Sequence, residues 1–301
     1  MRKPDFFIVG APRCGTTAMK VFLWEHPEIF MAAGREPHFF GTDLHSPMFI
    51  RDERTYLSLF ARANNEKRVG EKSVLYLYSR HAASEIKEFQ LSASIIIMLR
   101  NPVDMLYSLH GHRLHITGRE DILDFETALE AEEDRKRGLR IPAGTSPREI
   151  WLVPYRDRAR YTQQVRRFLD TFGRENVHII IFDDFVREPA GVYRETLRFL
   201  EVNPEFQPHF QQINANRRVR SRRLSNFITN PPQLARSFVQ AVMPFSPIRK
   251  MLWSLVNLNS SYFPRPTLSP EIRKRLQVEF LPEVEQLSEL LGRDLTHWCR
   301  T

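Results

Sequence analysis

Short apolar runs recur along the chain, and each is followed by a turn and then by a pattern typical of a helix. The clearest runs are rich in β-branched or aromatic residues, as are strands buried on both faces of a parallel sheet. They are Phe6–Val9, Ser94–Leu99 and Val177–Phe182, and the shorter run Arg68–Lys72 is a candidate for a further strand. The pattern therefore predicts buried parallel strands separated by long connections.

Helical patterns follow the three clear runs. They cover Thr16–Glu25, Pro102–His115 and Pro189–Leu200. In the last two a proline stands at the first helical position, where its missing N–H costs no hydrogen bond. Alternation of strand, turn and helix predicts an α/β fold, a P-loop-like doubly wound parallel sheet flanked by helices. A ligand site is expected at the carboxyl ends of the strands.

Three further stretches are predicted to be helical or irregular. Phe125–Tyr161 is dense in charge and contains prolines, which indicates a helix followed by a loop. Pro270–Leu291 carries apolar residues at helical spacing. Ser237–Leu258 is apolar but interrupted by prolines and cations, which predicts a buried or interfacial helical pair and no transmembrane segment. Peripheral contact of that stretch with a membrane stays open.

The chain is long enough to bury a large core, with 301 residues of which 42% are hydrophobic. No repeat or linker divides it. We therefore predict a single domain over residues 1–301, with a core of about 1–225 and a helical C-terminal extension of about 226–301.

Charge and cysteine content narrow the classes of protein. Lys and Arg number 44 against 36 Asp and Glu, so the formal net charge is +8 and the surface should attract anions. The chain has two cysteines, Cys14 and Cys299, too few for a disulfide framework or a structural zinc site. The N-terminal apolar run is too short for a signal peptide. These observations predict a cytoplasmic protein without a metal.

The strongest local motif lies between the first strand and the first helix. Its sequence is GAPRCGTT, from Gly10 to Thr17, and its two glycines let successive backbone N–H groups point at an anion. The spacing copies the phosphate-binding loop of nucleotide triphosphatases, but Thr16 stands where that loop needs lysine, and Arg13 precedes it. Such a cation suits a reaction whose leaving group gains negative charge, while Gly15, Thr16 and Thr17 hold a phosphate.

Several segments in this order resemble one family. FFIVGAPRCGTTAMKVFLWEHPEI, REPHFF, GEKS and IIIMLRNPVDMLYSLHGH are similar to segments of the PAPS-dependent sulfotransferase superfamily, especially its bacterial and heparan sulfate branch. The resemblance spans roughly the first 225 residues. It implies an enzyme that moves a sulfuryl group from 3′-phosphoadenosine 5′-phosphosulfate (PAPS) to a hydroxyl of a glycan, lipid or small metabolite, without a metal.

The resemblance also implies roles for individual residues near the reacting centre. Arg13 takes the place of the family's usual lysine and would stabilise the charge of the leaving group. Its role would be electrostatic, because arginine keeps its charge and cannot donate a proton. Glu36 in REPHFF is the candidate base, with His38 as the alternative. Lys72 in GEKS would lie near the sulfuryl group. The loops His38–Ile50 and His110–Trp151 would form the acceptor pocket.

The donor site implied by the resemblance has two ends. The loop from Arg13 to Thr17, Cys14 included, would bind the 5′-phosphate, and Arg100 with Ser108 would bind the 3′-phosphate. A later basic run carries Arg217 and Arg218, which would help to close the site over the donor.

Two other functions stay open from the sequence. A P-loop kinase-like phosphotransferase could use Asp183 or Asp184 for Mg²⁺, but the missing loop lysine argues against it. An arginine-rich protein that binds anionic polymers is the second alternative. Aromatic residues are absent from the run Arg217–Arg223, so no nucleic-acid partner is predicted.

Overall fold

A computed structural model describes residues 2–142, 154–210 and 266–300, together with Thr145, Glu149 and the backbone of two short strands at 217–219 and 260–262. Its centre is a five-stranded parallel sheet in the order β2-β3-β1-β4-β5. The strands are β1 Phe6–Gly10, β2 Ile29–Met31, β3 Arg68–Lys72, β4 Ser94–Leu99 and β5 Val177–Ile181.

The strands predicted from apolar runs are all present. Every residue of β1 and of β4 is buried, because helices cover both strands. Strand β2 was not predicted; it is three residues long and pairs with β3 alone at the edge of the sheet. Phe182 was expected to end the last strand, but it begins a helix.

The helices lie in the connections between strands and after the last strand. In chain order they are α1 Thr16–Glu25, α2 Glu53–Ser58, α3 Ala82–Phe89, α4 Pro102–His112, α5 Phe125–Glu130, α6 Glu132–Lys136, α7 Arg156–Ala159, α8 Tyr161–Phe172, α9 Phe182–Arg187, α10 Pro189–Phe199 and α11 Pro270–Leu291. A π-helical turn, Arg113–Thr117, continues α4, and 3₁₀ turns cover Arg174–Asn176 and Thr296–Cys299. The predicted α/β fold with a parallel sheet flanked by helices is confirmed.

The region after α4 is built around buried charges. Arg135 is fully buried and donates two 2.7 Å hydrogen bonds to Glu120, which also accepts the Tyr155 hydroxyl at 2.7 Å. A buried ion pair of this kind is stable only when further hydrogen bonds satisfy its atoms, as they do here. The region predicted as one helix and a loop contains three short helices, α5, α6 and α7, and part of the expected loop lies outside the described residues.

The last described helix packs on the sheet's flanking helices. Helix α11 contacts α4 and α8, and Glu283 on α11 accepts hydrogen bonds from the backbone N–H and the hydroxyl of Thr162 at 2.7 and 2.6 Å. Trp298 is buried, and its carbonyl accepts from the Asn101 side chain at 3.0 Å. The predicted helical pair at 237–258 lies outside the described residues.

Two short strands make a separate antiparallel pair. They are β6 Arg217–Val219 and β7 Ser260–Tyr262, and β6 lies beside the π-helical turn Arg113–Thr117. The basic run that carries Arg217 and Arg218 therefore has its backbone described at this point, close to the carboxyl end of α4.

Candidate active site

The turn between β1 and α1 contains a left-handed glycine and leaves the N-terminus of the helix without a side-chain cap. Gly15 has a φ of 87°, in the left-handed region, and a Cβ there would come within 3.1 Å of the Phe182 ring. Gly15 is also the N-cap of α1 and has no side chain to cap the helix. The first N–H groups of α1 and the positive end of its dipole are therefore left for an anion or for water.

Arg13 connects this turn to the residues that follow β4, the neighbour of β1 in the sheet. Its Nε donates to the Ser108 hydroxyl at 3.1 Å, and its carbonyl accepts from Arg100 Nη1 at 3.4 Å. Arg100 lies over the Phe182 ring, 4.7 Å from the centroid. Because β1 and β4 are parallel neighbours, their carboxyl ends meet at one edge. The structure thus brings together Arg13, Arg100 and Ser108, which are 95 positions apart at most.

Lys72 at the end of β3 connects the turn to the loop that follows β2. Its Nζ donates to the Thr17 hydroxyl at 3.2 Å and forms an ion pair with Glu36. Glu36 also accepts from the Val74 N–H at 3.0 Å and lies 3.2 Å from His38 Nε2. The Glu36 side chain is 25% exposed and that of Lys72 is 8% exposed, so Glu36 is the member of the pair that a solute can reach.

The charges around Glu36 determine its protonation state. Burial alone would raise the pKa of Glu36, but the Lys72 ammonium and the hydrogen bond from His38 outweigh burial and hold this pKa well below its ordinary value. Glu36 is therefore ionised at neutral pH. While Lys72 is bound to it, this carboxylate is a weak base.

His38 is held from both its backbone and its ring. The backbone N–H donates to Ser73 Oγ at 3.0 Å, and the ring packs against Phe49 and Tyr76. A carboxylate only accepts hydrogen bonds, so Nε2 must carry the proton that faces Glu36. Within the described residues, Nδ1 is buried and has no hydrogen-bond partner. His38 therefore orients Glu36 in this arrangement.

Two residues that the sequence did not indicate also belong to this site. His112 is four residues after Ser108, so it lies on the same face of α4. Burial, together with the cations Arg13 and Arg113, lowers the pKa of His112 to about 3, so its ring is neutral. Lys20 is buried on α1, and burial and Lys72 lower its pKa to about 8. The helical spacing from Ser108 could have pointed to His112.

The remaining predicted residues divide into three cases. Cys14 is fully buried and its thiol faces the Pro12 carbonyl at 3.4 Å, so Cys14 can contribute only its backbone. Burial raises the pKa of this thiol to about 12. Thr16 is buried in the first turn of α1, and Thr17 is bonded to Lys72. The side chains of Arg217 and Arg218 lie outside the described residues, and their role stays a prediction.

Asp183 and Asp184, the residues that a kinase would need for Mg²⁺, are bound to protein groups. Asp183 accepts from Trp298 Nε1 at 2.6 Å, and Asp184 accepts from Arg187 at 2.8 Å and pairs with Arg293. In the part of the chain that the structure covers, no three His, Cys, Asp or Glu side chains converge as metal ligands would. None of the helices over the same residues has the length and apolar character to cross a bilayer.

Fold and site together define an α/β protein in which the glycine-containing turn after β1 lies beside a partly buried lysine–glutamate pair. The family model described as "Sulfotransferase domain" matches residues 3–232, and the chain belongs to the sulfotransferase family. The predicted superfamily is thus confirmed.

Relatives with sequence or structural similarity span a wide range of sources. Mouse heparan sulfate glucosamine 3-O-sulfotransferase 3B1 is 28% identical over 197 residues, which cover 65% of this chain and 46% of that protein. The membrane-associated sulfotransferase kil1 of Dictyostelium discoideum is 23% identical over 279 residues, covering 68% of this chain and 58% of that one. The chain spans about half the length of these curated relatives. The predicted cytoplasmic location stays a prediction.

A solved structure matches over the whole chain. The crystal structure of a sulfotransferase from Alicyclobacillus acidocaldarius has a TM-score of 0.73 and 30% sequence identity, with 100% of both chains covered. The similarity extends beyond the motifs of the first 225 residues to the C-terminal part.

Proposed function

We propose that this enzyme transfers a sulfuryl group from PAPS to a hydroxyl of a glycan, lipid or small-molecule acceptor. The observation that carries the proposal is the contact of Arg13 with both Ser108 and Arg100. It joins the turn after β1 to the end of β4. A nucleotide phosphorylated at both the 5′ and 3′ positions needs two neighbouring anion sites, one for each phosphate.

The residues present fit such a donor. The first N–H groups of α1 have no side-chain cap, since Gly15 is the N-cap residue, and they can bind a phosphate. Arg100 offers a planar fork of N–H donors that matches a phosphate, and its position over Phe182 fixes the plane of the fork. We assign the turn to the 5′-phosphate, and Arg100 with Ser108 to the 3′-phosphate.

The proposed reaction is an in-line displacement at sulfur. Glu36 takes the proton of the acceptor hydroxyl, whose oxygen forms a bond to sulfur. The bond between sulfur and the bridging phosphate oxygen breaks, and its electron pair leaves with 3′-phosphoadenosine 5′-phosphate (PAP). Arg13 and Lys72 offset the charge that develops on the leaving phosphate.

Lys72 has two roles in this proposal. It lies between Thr17 on the donor side and Glu36 on the acceptor side. Because Glu36 is a weak base while Lys72 is bound to it, Lys72 must turn from Glu36 to the donor before transfer. Loss of the ammonium then raises the pKa of Glu36 towards its ordinary value. Donor binding would thus prepare the base.

The acceptor is assigned only as a class. The named 3-O-sulfotransferase relative from mouse acts on heparan sulfate, which supports a glycan hydroxyl, and the net charge of +8 suits an anionic one. No metal takes part in the proposed reaction.

Calorimetric titration with PAP, AMP and ATP tests the donor assignment. We expect PAP to bind about tenfold or more tightly than AMP, because a charge-assisted contact to the 3′-phosphate is worth about 1.5–3 kcal/mol. Transfer of labelled sulfate from PAPS into a panel of glycans and phenols then tests the reaction, with excess chelator present. Equal affinity for PAP and AMP, or transfer that requires a divalent metal, would contradict the proposal.

A further inference from the structure

Glu71 is a buried carboxylate one residue before Lys72. Side chains alternate along a strand, so Glu71 points to the opposite face of β3 from Lys72. It is 0% exposed, and no cation of the described residues lies within ion-pair distance of it. Its oxygens are instead met by hydroxyl groups: Tyr76 at 2.7 Å and Tyr56 at 3.0 Å on Oε1, and Ser73 at 3.0 Å on Oε2.

Two of these hydroxyls continue to the loop after β2. Ser73 Oγ accepts the His38 N–H at 3.0 Å. The Tyr76 hydroxyl accepts the Phe39 N–H at 2.9 Å and the Phe40 N–H at 3.4 Å. Three successive backbone N–H groups of the loop are thus bound to Glu71 through one intervening hydroxyl each.

The carboxylate sets the direction of these bonds. An ionised carboxylate has no proton to donate, so all three hydroxyls donate their single proton to Glu71, and the lone pairs of Ser73 and Tyr76 accept from the loop. A protonated Glu71 would donate one hydrogen bond itself, and one hydroxyl would then have to reverse. Only the ionised form accepts from all three hydroxyls at once.

The loop needs such anchors at His38. His38 has a φ of 47°, in the left-handed region, which a residue other than glycine keeps only where its surroundings enforce it. Glu36 lies two residues earlier on the same loop, and its carboxylate meets Lys72 and the Val74 N–H. A change in the backbone at His38 would therefore move Glu36 relative to Lys72.

We propose that Glu71 is a positioning residue of the sulfotransferase reaction, which through Ser73 and Tyr76 holds the loop that carries Glu36 and His38. This inference rests on the proposed function, in which Glu36 is the base. Glu71 acts through other groups and does not touch the reacting atoms.

Titration of Glu71 gives the inference a pH signature. Burial raises the pKa of Glu71 to about 7, against the opposing effect of its hydroxyl partners. The other ionisable groups facing it are Tyr56 and Tyr76, whose pKa values burial raises well above the ordinary value, and Lys20, whose pKa burial and Lys72 lower to about 8. Because the ionised form accepts from both hydroxyls that anchor the loop, we expect turnover to rise as pH increases through the neutral range.

Glu71→Gln tests the role of the charge at nearly constant shape. The glutamine oxygen can accept either from the two tyrosine hydroxyls or from Ser73, but its amide group donates where the other carboxylate oxygen accepted. We expect kcat to fall about tenfold or more, since small misplacements of catalytic groups are this costly, and affinity for PAP to stay unchanged. The rise of kcat with pH should disappear in Glu71→Gln. A rise that persists there and disappears in Lys20→Met would assign it to Lys20 and overturn the inference.

Two tyrosines provide a matched pair of variants. Both hydroxyls donate to the same oxygen of Glu71, but only that of Tyr76 also accepts from the loop. Tyr76→Phe should lower kcat about as much as Glu71→Gln, whereas Tyr56→Phe should keep most of the activity. Similar losses in both variants would show that the hydroxyls serve general stability, and the inference would be wrong.

Hydrogen exchange of the peptide 36–41 provides a readout that is independent of sulfuryl transfer. At one fixed pH, Glu71→Gln and Tyr76→Phe should exchange faster than the wild type in this peptide, and Tyr56→Phe should not. Unchanged exchange in the first two variants would overturn the inference even if PAPS is the donor. Faster exchange in a protein that does not transfer sulfate would instead retain the anchoring and reject the proposed function.

Discussion

The exchange Glu36→Gln tests the proposed base and the ion pair beneath it together. The carboxylate meets Lys72, the Val74 N–H and His38 Nε2. Glutamine keeps the size of the side chain and can still accept from Val74. It cannot take a proton from an acceptor hydroxyl, and it leaves the Lys72 ammonium without a counter-ion.

The expected magnitudes follow from exposure and chemistry. Loss of a general base costs about 10²-fold or more in turnover. Breaking a fully buried ion pair costs about 3–5 kcal/mol. Lys72 is 8% exposed but Glu36 is 25% exposed, so solvent screens part of the pair. We therefore expect a loss of about 1–3 kcal/mol in the free energy of unfolding.

The pH dependence of this loss has a definite sign. The pKa of Glu36 is lower in the folded chain than in the unfolded one. The ionised form is therefore the one that stabilises the fold, and this stabilisation is present above the unfolded pKa of about 4.3. It is lost as the pH falls through the folded pKa. The difference in stability between wild type and Glu36→Gln should accordingly be largest at neutral pH and shrink in acid.

Urea unfolding and turnover at saturating PAPS measure the two effects separately. Lys72→Met and the double variant complete a mutant cycle, and a coupling energy of 1 kcal/mol or more, in the range of about 0.5–3 kcal/mol for contacting residues, would confirm the pair. Titration with PAP serves as the control for an intact donor site. If Glu36→Gln keeps wild-type turnover while His38→Asn abolishes it, the base is His38 and the assignment of Glu36 is wrong.

Three further predictions concern the donor turn. Arg100→Lys should weaken PAP binding about 10- to 100-fold without changing AMP binding, because a point charge replaces a planar fork, and equal losses for both nucleotides in calorimetry would contradict the 3′-phosphate assignment. Gly15→Ala should lower the free energy of unfolding by about 1–3 kcal/mol in urea, because of its φ of 87° and the Phe182 ring 3.1 Å from the new Cβ, and an unaffected midpoint would refute this. Cys14 should resist a thiol reagent in the folded enzyme, since burial raises its pKa to about 12, and rapid modification of Cys14 together with Cys299 would show that the turn opens.

The sheet could be predicted where a strand's own residues carry the signal. Strands β1 and β4 are continuous apolar runs because both of their faces are covered, so the sequence is sufficient to locate them. Strand β2 has three residues, and its pairing with β3 depends on a contact with residues almost forty positions later. A short edge strand has no periodicity of its own to detect.

The site shows the same division between local and distant information. That Arg13 and Arg100 would meet followed from two strands ending at one edge of a parallel sheet, and the structure shows their contact. The ion pair of Glu36 with Lys72 could not be predicted, because the loop after β2 has no pattern that fixes its path. Cys14 was counted as part of the donor turn, but which side chains of a turn point inward depends on packing against other elements.

The two neighbouring residues Glu71 and Lys72 show why a motif does not reveal the roles of all its members. The pleat of β3 sends them to opposite faces, and the environments there differ. On one face the Lys72 ammonium lowers the pKa of Glu36, because a nearby cation outweighs burial. On the other face the hydrogen-bond partners of Glu71 are hydroxyls, and these neutral donors together with the charge of Lys20 offset burial only in part, so its pKa rises to about 7. The loop with Glu36 is therefore held on one side by a charge whose state is fixed at neutral pH and on the other by a carboxylate that titrates there. Lys72 alone would therefore not indicate that Glu71 is expected to make turnover sensitive to pH.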